Sequence, residues 1–201
     1  MSRLALVRHG QTDWNLERRI QGSSDIPLND TGRGQARGAG ALLARRHWDG
    51  IYASPLSRAM ETARIIAAAT GLTDVPPAPV PAVAERAYGQ AEGLTGEEIL
   101  TRFPEGVSIP GQESRESVVR RALPALVELA EDNPGRSLIV VSHGGVIASL
   151  VRHITEHALP GPGETIANGS VHEFVYRDGR LVLDRFNQSP DDRDLLTAVV
   201  Q

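Results

Sequence analysis

Two arginines, two histidines and one glutamate carry the chemistry this sequence offers: Arg8, Arg58, His9, His143 and Glu85. The first four stand at or just beyond short apolar runs, in "LALVRHG" (4–10), "GIYASPLSR" (50–58) and "SLIVVSHGG" (137–145). A guanidinium binds a phosphoryl group through a two-pronged fork, and two of them neutralise its dianion and the charge that develops on its oxygens. A neutral imidazole next to that phosphorus is a competent nucleophile, and a second imidazole can donate a hydrogen bond to the same oxygens. A carboxylic acid is then needed to protonate the departing alkoxide. Glu85 is the best placed, because it follows an extended segment and precedes the flexible "YG" at 88–89. Taken singly, His9 reads as a hydrogen-bonded residue closing a strand and Arg58 as a surface cation. Their joint placement at strand ends and first helical turns weakens that reading sharply.

The elements that must position these groups follow from periodicity. Residues 4–7 and 138–141 are continuous apolar runs, as expected of central strands buried on both faces. A helix is expected from Thr31 to Arg46, with Ala36, Ala39, Gly40 and Leu43 on its packing face. After the strand at 50–54, Ser54 reads as an N-cap with Pro55 at the first helical position, and Gly71 closes that helix. The proline-rich "VPPAPVPAV" (75–83) should be extended, and Thr95 with Glu98 forms a capping box. A helix with a kink near Pro124 is expected from Ser114 to Glu131, and another after His143 to about Arg152. "SVHEFVYR" and "RLVLDRFN" read as a hairpin turning at Asp178-Gly179, followed by a loosely held tail at 190–201. Strands alternating with helices predict one α/β domain over 1–201, a three-layer α/β/α sandwich with a mostly parallel central sheet. In such sheets ligands bind at the carboxyl ends of strands, where these residues collect.

Composition narrows the chemistry further. The 201 residues include no cysteine, which excludes thiol nucleophiles and cysteine metal sites. All 21 basic residues are arginine, so Schiff-base chemistry and a phosphate-loop lysine are impossible. A net charge of −4 argues against nucleic-acid binding, and no apolar run approaches spanning length, so a cytoplasmic protein is the default.

Five segments then resemble, in order, the motifs of the histidine phosphatase superfamily, the phosphoglycerate-mutase-like enzymes: "LVRHGQTDWN", "QGSSDIPLNDTGRGQA", "SPLSRAMETA", "ERAYGQAEG" and "VVSHGG". The resemblance spans about residues 3 to 150. It implies a phosphoglycerate-mutase-like fold, with His9 as the phosphorylated nucleophile, Arg8, Arg58 and His143 as the phosphate pocket, and Glu85 as proton donor. Asn15 and the Gly144 backbone are implied as supporting contacts. Gln21, Gly22 and Tyr88 join them as phosphate or substrate contacts. No metal or other cofactor is implied, the partner is a small phosphorylated metabolite, and a homodimer stays open. Only about fifty residues separate Gly93 from His143, where the mutases carry a long insertion, so the chain resembles the shorter phosphatase branch. Ala91 also replaces a common aromatic, which bears on leaving-group shape.

Two other readings are carried forward. One is mutase-type phosphoryl transfer on the same residues. The other is a zinc hydrolase built on "HITEH" (153–157), whose His153, Glu156 and His157 match H-x-x-E-H with both histidines on one helix face.

Overall fold

The computed structural model describes residues 1–189, so the expected tail at 190–201 lies outside the described residues. Six strands form one sheet in the order β3-β2-β4-β1-β5-β6. They are β1 (Ser2–Arg8), β2 (Gly50–Ala53), β3 (Ala78–Pro79), β4 (Ser137–Ser142), β5 (Val171–Arg177) and β6 (Arg180–Gln188). β1 to β4 are mutually parallel, whereas β5 runs antiparallel to β1 and pairs with β6 as a hairpin. The expected three-layer, mostly parallel arrangement is what forms.

The alternation of side chains along each strand divides the core. On one face Leu4, Leu6, Leu138, Val140 and Phe174 pack against α5 (Arg115–Glu131) and α6 (Gly144–Ile154). On the other, Ala5, Val7, Ile51, Ile139, Val141 and the buried Trp48 pack against α2 (Asp30–Leu43) and α3 (Ser57–Thr70). Small residues let α2 and α3 approach: a Cβ on Gly40 would lie 2.8 Å from the Ala69 methyl carbon. Two short helices, α1 (Asp13–Leu16) and α4 (Gly96–Arg102), lie in the connections, the latter with the expected Thr95–Glu98 capping box.

Several boundaries differ from expectation for identifiable reasons. α2 starts one residue early, because Asn29 Oδ1 caps it by accepting from the Gly32 N–H at 2.9 Å, and it ends at Leu43 rather than Arg46. Ser54 is not a helix cap. α3 begins at Ser57 after Leu56, with no side-chain cap, and Asp25 Oδ1 instead accepts from the Ser57 N–H and hydroxyl, both at 2.8 Å. α5 continues from Arg115 to Glu131 with Pro124 inside it. The proline-rich stretch contributes only the two-residue edge strand β3 and a 3₁₀ turn at Pro81–Val83, as suits residues that cannot donate to a ladder.

Candidate active site

The parallel register puts Arg8, Ala53 and Ser142 at the same edge of the sheet. Because β5 starts at Val171 opposite Val7, the antiparallel arm also delivers its preceding loop, 165–170, to that edge. Arg8, His9, Asn15, Gln21, Gly22, Arg58, Glu85, Tyr88 and Gly144 all line one cavity of about 460 Å³ there. His143, fully buried, stands against His9 with ring centroids 5.1 Å apart.

His9 is held as a neutral base with its lone pair turned outward. Nδ1 lies 2.6 Å from the Gly10 carbonyl, which can only accept, so Nδ1 carries the proton and Nε2 is left for the cavity. Burial, then the charges of Arg8 and Arg58, depress its pKa well below the ordinary histidine range. Gly10 is required for a steric reason. Its Cβ would fall 2.2 Å from the Gly32 carbonyl oxygen, and one on Gly32 would fall 2.1 Å from that of Gln11. The loop carrying His9 therefore lies backbone to backbone on the start of α2.

The second histidine has the opposite arrangement. Its Nε2 lies 2.7 Å from Ser54 Oγ, which accepts from the Leu56 N–H at 3.3 Å. Among the described residues the buried hydroxyl proton has no other acceptor, so Ser54 donates to Nε2 and the proton of His143 sits on Nδ1. That atom is buried without a partner. His143 is thus a neutral donor, its pKa lowered by burial and by His9, Arg58 and Arg8.

Arg8 and Arg58 are cations that form no ion pair among the described residues. The Nη1 of Arg8 donates to the Ile166 carbonyl at 2.5 Å. Arg58, fully buried, donates to the Ser24 and Gly22 carbonyls at 2.7 and 2.8 Å. The Nε of each lacks a partner. Burial lowers both pKa values, yet a guanidinium stays charged in proteins. Two desolvated, unpaired cations are costly unless the site binds an anion.

The carboxyl group whose charge acts most strongly on both is Glu85, which forms no ion pair with either. Burial raises its pKa above the ordinary range, against the pull of the Arg86 and Gly145 N–H groups and of both arginines. Its Oε1 accepts from Arg86 at 2.8 Å and its Oε2 from Gly145 at 3.2 Å. A Cβ on Gly145 would sit 2.6 Å from Oε1 and 3.0 Å from the Tyr88 hydroxyl, so a side chain there would have to displace the carboxyl group or the tyrosine. A base, two cations and a protonatable acid therefore line one cavity, with the His143 ring against that of His9, and groups of these kinds can move a phosphoryl group.

The remaining expected contacts take more particular roles. Asn15 Oδ1 receives the Thr12 N–H, the Thr12 hydroxyl and Asn168 Nδ2 at 3.2–3.3 Å, so its own Nδ2 is what it can offer the cavity. Gln21 Oε1 is buried without a partner. Gly22 has φ +56° and holds Arg58 through its carbonyl, and its backbone is pressed by Glu92, whose Oε1 would lie 2.1 Å from a Cβ there. Gly144 opens α6 against Arg8, with 3.2 Å from a Cβ to the Arg8 Nε.

Three supports escaped the sequence reading. Asn168 Nδ2 also donates to the His9 carbonyl at 3.0 Å, tying the antiparallel arm to that residue. Glu113 and Arg121 pair at 2.8 Å, and Arg121 donates to the Ala82 and Glu85 carbonyls, bracing the segment that carries the acid. Glu92 accepts from the N–H and hydroxyl groups of Ser23 and Ser24 and from the Tyr88 N–H, joining two walls of the cavity. Asn168 had no periodic or motif signal, but an "x-E-G" following a catalytic acid could have flagged Glu92.

The H-x-x-E-H reading is overturned by local geometry. α6 ends at Ile154, and Glu156 and His157 follow in the left-handed region, at φ +51° and +69°, so the two histidines do not share a helix face.

The family model described as histidine phosphatase superfamily (branch 1) matches residues 4–189. The chain belongs to the histidine phosphatase superfamily. Within it, the chain is 39% identical over 155 residues to an uncharacterised phosphatase, PhoE, of Bacillus subtilis, covering 77% of this chain and 78% of that protein. It is 35% identical over 163 residues to a 2,3-bisphosphoglycerate-dependent phosphoglycerate mutase of Cytophaga hutchinsonii, covering 75% and 76%. Among solved structures, a mycobacterial glucosyl-3-phosphoglycerate phosphatase superposes with a TM-score of 0.82 at 31% identity, covering 93% of this chain and 99% of that one. Histidine phosphatases thus share its fold over nearly the whole chain. Among the described residues no helix is long and apolar enough to cross a membrane.

Proposed function

We propose that this chain hydrolyses small-molecule phosphomonoesters through a phosphohistidine on His9, with Glu85 as general acid and then general base, in a cytoplasmic setting. The observation that carries the reading is the pairing of a neutral His9, its Nε2 free, with two buried arginines that have no carboxylate partner. The phosphate dianion is the counter-ion those arginines lack.

In the first step Nε2 attacks phosphorus in line, the P–O ester bond breaks, and the leaving oxygen takes the proton of Glu85. In the second, water attacks the phosphohistidine, Glu85 takes a proton from that water, and the P–N bond breaks to release inorganic phosphate. Arg8, Arg58 and the Nδ1–H of His143 stabilise the equatorial oxygens throughout, which is where most of the acceleration arises. Burial raises the Glu85 pKa and so favours the protonated form that acts first as an acid.

Incubation with a radiolabelled phosphomonoester and rapid denaturation should trap an acid-labile, base-stable phosphoenzyme in the wild type and none in His9→Ala, which should also lose phosphate release. A His9→Ala protein that still turns over normally would remove His9 as nucleophile. Mutase-type transfer uses the same groups and stays as the second reading, given the relatives of similar identity that bear that name. It predicts that a bisphosphorylated glycerate stimulates isomerisation of the monoester, whereas the hydrolytic reading predicts phosphate release without it.

A further inference from the structure

His172 is a buried imidazole to which the reaction assigns nothing, yet both of its ring nitrogens lead to the cavity wall. It stands on β5 opposite Leu6 of β1, with its ring centroid 5.2 Å from that of Phe186 on β6. Burial pushes its pKa down to about 3, so the ring is neutral, with one nitrogen a donor and the other an acceptor. The partners decide which is which. The Asn187 N–H donates to Nδ1 at 3.1 Å, so the proton sits on Nε2. That atom lies 2.9 Å from Ser170 Oγ, whose own hydroxyl goes to the Ala167 carbonyl at 2.7 Å, so Ser170 accepts from the ring.

A bulge in the hairpin makes the first contact possible. Val171 pairs with Gln188 and Glu173 with Arg185, so His172 faces two residues of β6, Phe186 and Asn187. Asn187 takes φ +53°, a left-handed conformation that asparagine tolerates better than most residues. Its side-chain amide then reaches the loop that precedes β5. Oδ1 accepts from the Ala167 N–H at 3.4 Å, and Nδ2 donates to the Thr165 carbonyl at 3.3 Å. Asn187 and Ser170 thus hold the chain on both sides of Ile166, whose carbonyl takes Arg8 Nη1. Among the described residues Arg8 forms no ion pair, and this carbonyl is the acceptor that fixes its guanidinium.

We propose that His172 is a positioning residue: through Asn187 and Ser170 it fixes the Ile166 carbonyl, and with it the aim of Arg8 at the phosphoryl oxygens. The inference rests on the reading of Arg8 as a phosphate contact. Arg8 counts most when charge develops on the equatorial oxygens, so a loosened Ile166 costs more in kcat than in KM.

Three variants test it. Asn187→Gly keeps the backbone N–H and suits the left-handed φ, but removes the amide that holds residues 165 and 167. His172→Phe keeps a buried ring and loses both hydrogen bonds. His172→Asn puts an amide oxygen in the place of Nδ1, where it can accept from the Asn187 N–H. Circular dichroism and thermal melts establish that each is folded, and Asn187→Gly decides alone if a His172 variant is not. On an alkyl phosphomonoester, Asn187→Gly and His172→Phe should each lower kcat by roughly tenfold, short of the 10²-fold that an ångström of misplacement costs, with KM moving far less. The two changes act on one chain of contacts, so the double variant should lose no more than the worse single one. His172→Asn should keep most of the wild-type kcat. Calorimetric titration of inorganic phosphate reads the site without turnover. Wild-type protein that neither binds phosphate nor turns over would overturn the reading of the site and the proposal with it. Wild-type kcat in folded Asn187→Gly protein, losses that multiply in the double variant, or equal losses in folded His172→Phe and His172→Asn would overturn the proposal and leave that reading intact.

Discussion

Glu85→Gln isolates the proton from everything else the site does. The amide matches the carboxyl in shape, and the protonated acid it replaces is also neutral, so Arg8 and Arg58 keep their charge environment and binding of the phosphate should change little. One hydrogen bond is lost. If the amide oxygen keeps the 2.8 Å contact with the Arg86 N–H, the Gly145 N–H, now 3.2 Å from Oε2, faces an NH2 group. That unpaired donor costs about 1–3 kcal/mol, offset in part because no buried carboxylate can form. The chemical loss is larger: removing a general acid costs about 10²–10⁴-fold. It should appear only where the leaving oxygen needs the proton. Because kcat/KM reports events up to the first irreversible step, it reads phosphoryl transfer to His9 without interference from the later hydrolysis. For an alkyl phosphomonoester, whose alkoxide is a poor leaving group, kcat/KM should therefore fall by about 10²–10⁴-fold. For p-nitrophenyl phosphate, whose phenolate leaves as a stabilised anion, it should fall far less. The pH profile gives a second readout. Glu85 must be protonated, so wild-type kcat/KM on the alkyl ester declines as pH rises through its raised pKa, and that limb should vanish in the variant. Equal losses on the two esters would show that Glu85 acts through structure and not as the acid.

Two further outcomes are expected. Ser54→Ala removes the donor that fixes the proton of His143 on Nδ1, so inhibition by vanadate and kcat/KM should weaken by about 2–10-fold, the worth of one hydrogen bond, while Ser54→Thr retains most of both; unchanged vanadate affinity in the alanine variant would refute the tautomer assignment. His172 accepts the Asn187 N–H at Nδ1 and is pushed down to about 3 by burial. Its folded pKa lies below the unfolded value of about 6.5, so the unfolded chain binds the proton first, and stability present above about pH 6.5 is lost as pH falls toward about 3, roughly 2 kcal/mol of it by pH 5. Thermal melts from about pH 7.5 to 5 should show a shallower decline for His172→Gln, and parallel curves would contradict it.

The parts of the fold that were legible in the sequence are those where one local rule acts alone. Residues 4–7 and 138–141 are apolar throughout because both faces are covered, and Thr95–Glu98 is a self-contained cap. Ser54-Pro55 misled because the same dipeptide that suits a helix start also suits a loop. The hydroxyl went to His143, 89 positions away in sequence, and a distant partner leaves no local trace. Arg8, His9, Arg58 and His143 were legible as a group because strand ends in a parallel sheet share an edge. Asn168 and the Glu113–Arg121 brace were not, since their roles arise only once β5 inserts antiparallel beside β1 and once α5 folds back beneath Glu85. The H-x-x-E-H match failed for the converse reason, because a spacing rule presumes a helix that here ends at Ile154.

The antiparallel strand β5 has a consequence for how such a protein can diversify. Every motif that resembles the family lies before residue 150, on the parallel part of the sheet, while Pro160, Glu164, Thr165 and Ile166 of the cavity wall come from the connection into β5. Part of the cavity wall is therefore written in a different stretch of chain from the groups that face it, and the two meet along one seam, where the Ile166 carbonyl holds Arg8 and Asn168 holds the main chain of His9. The later stretch can be rewritten to admit a different molecule so long as those two attachments survive, and the reacting groups need not move.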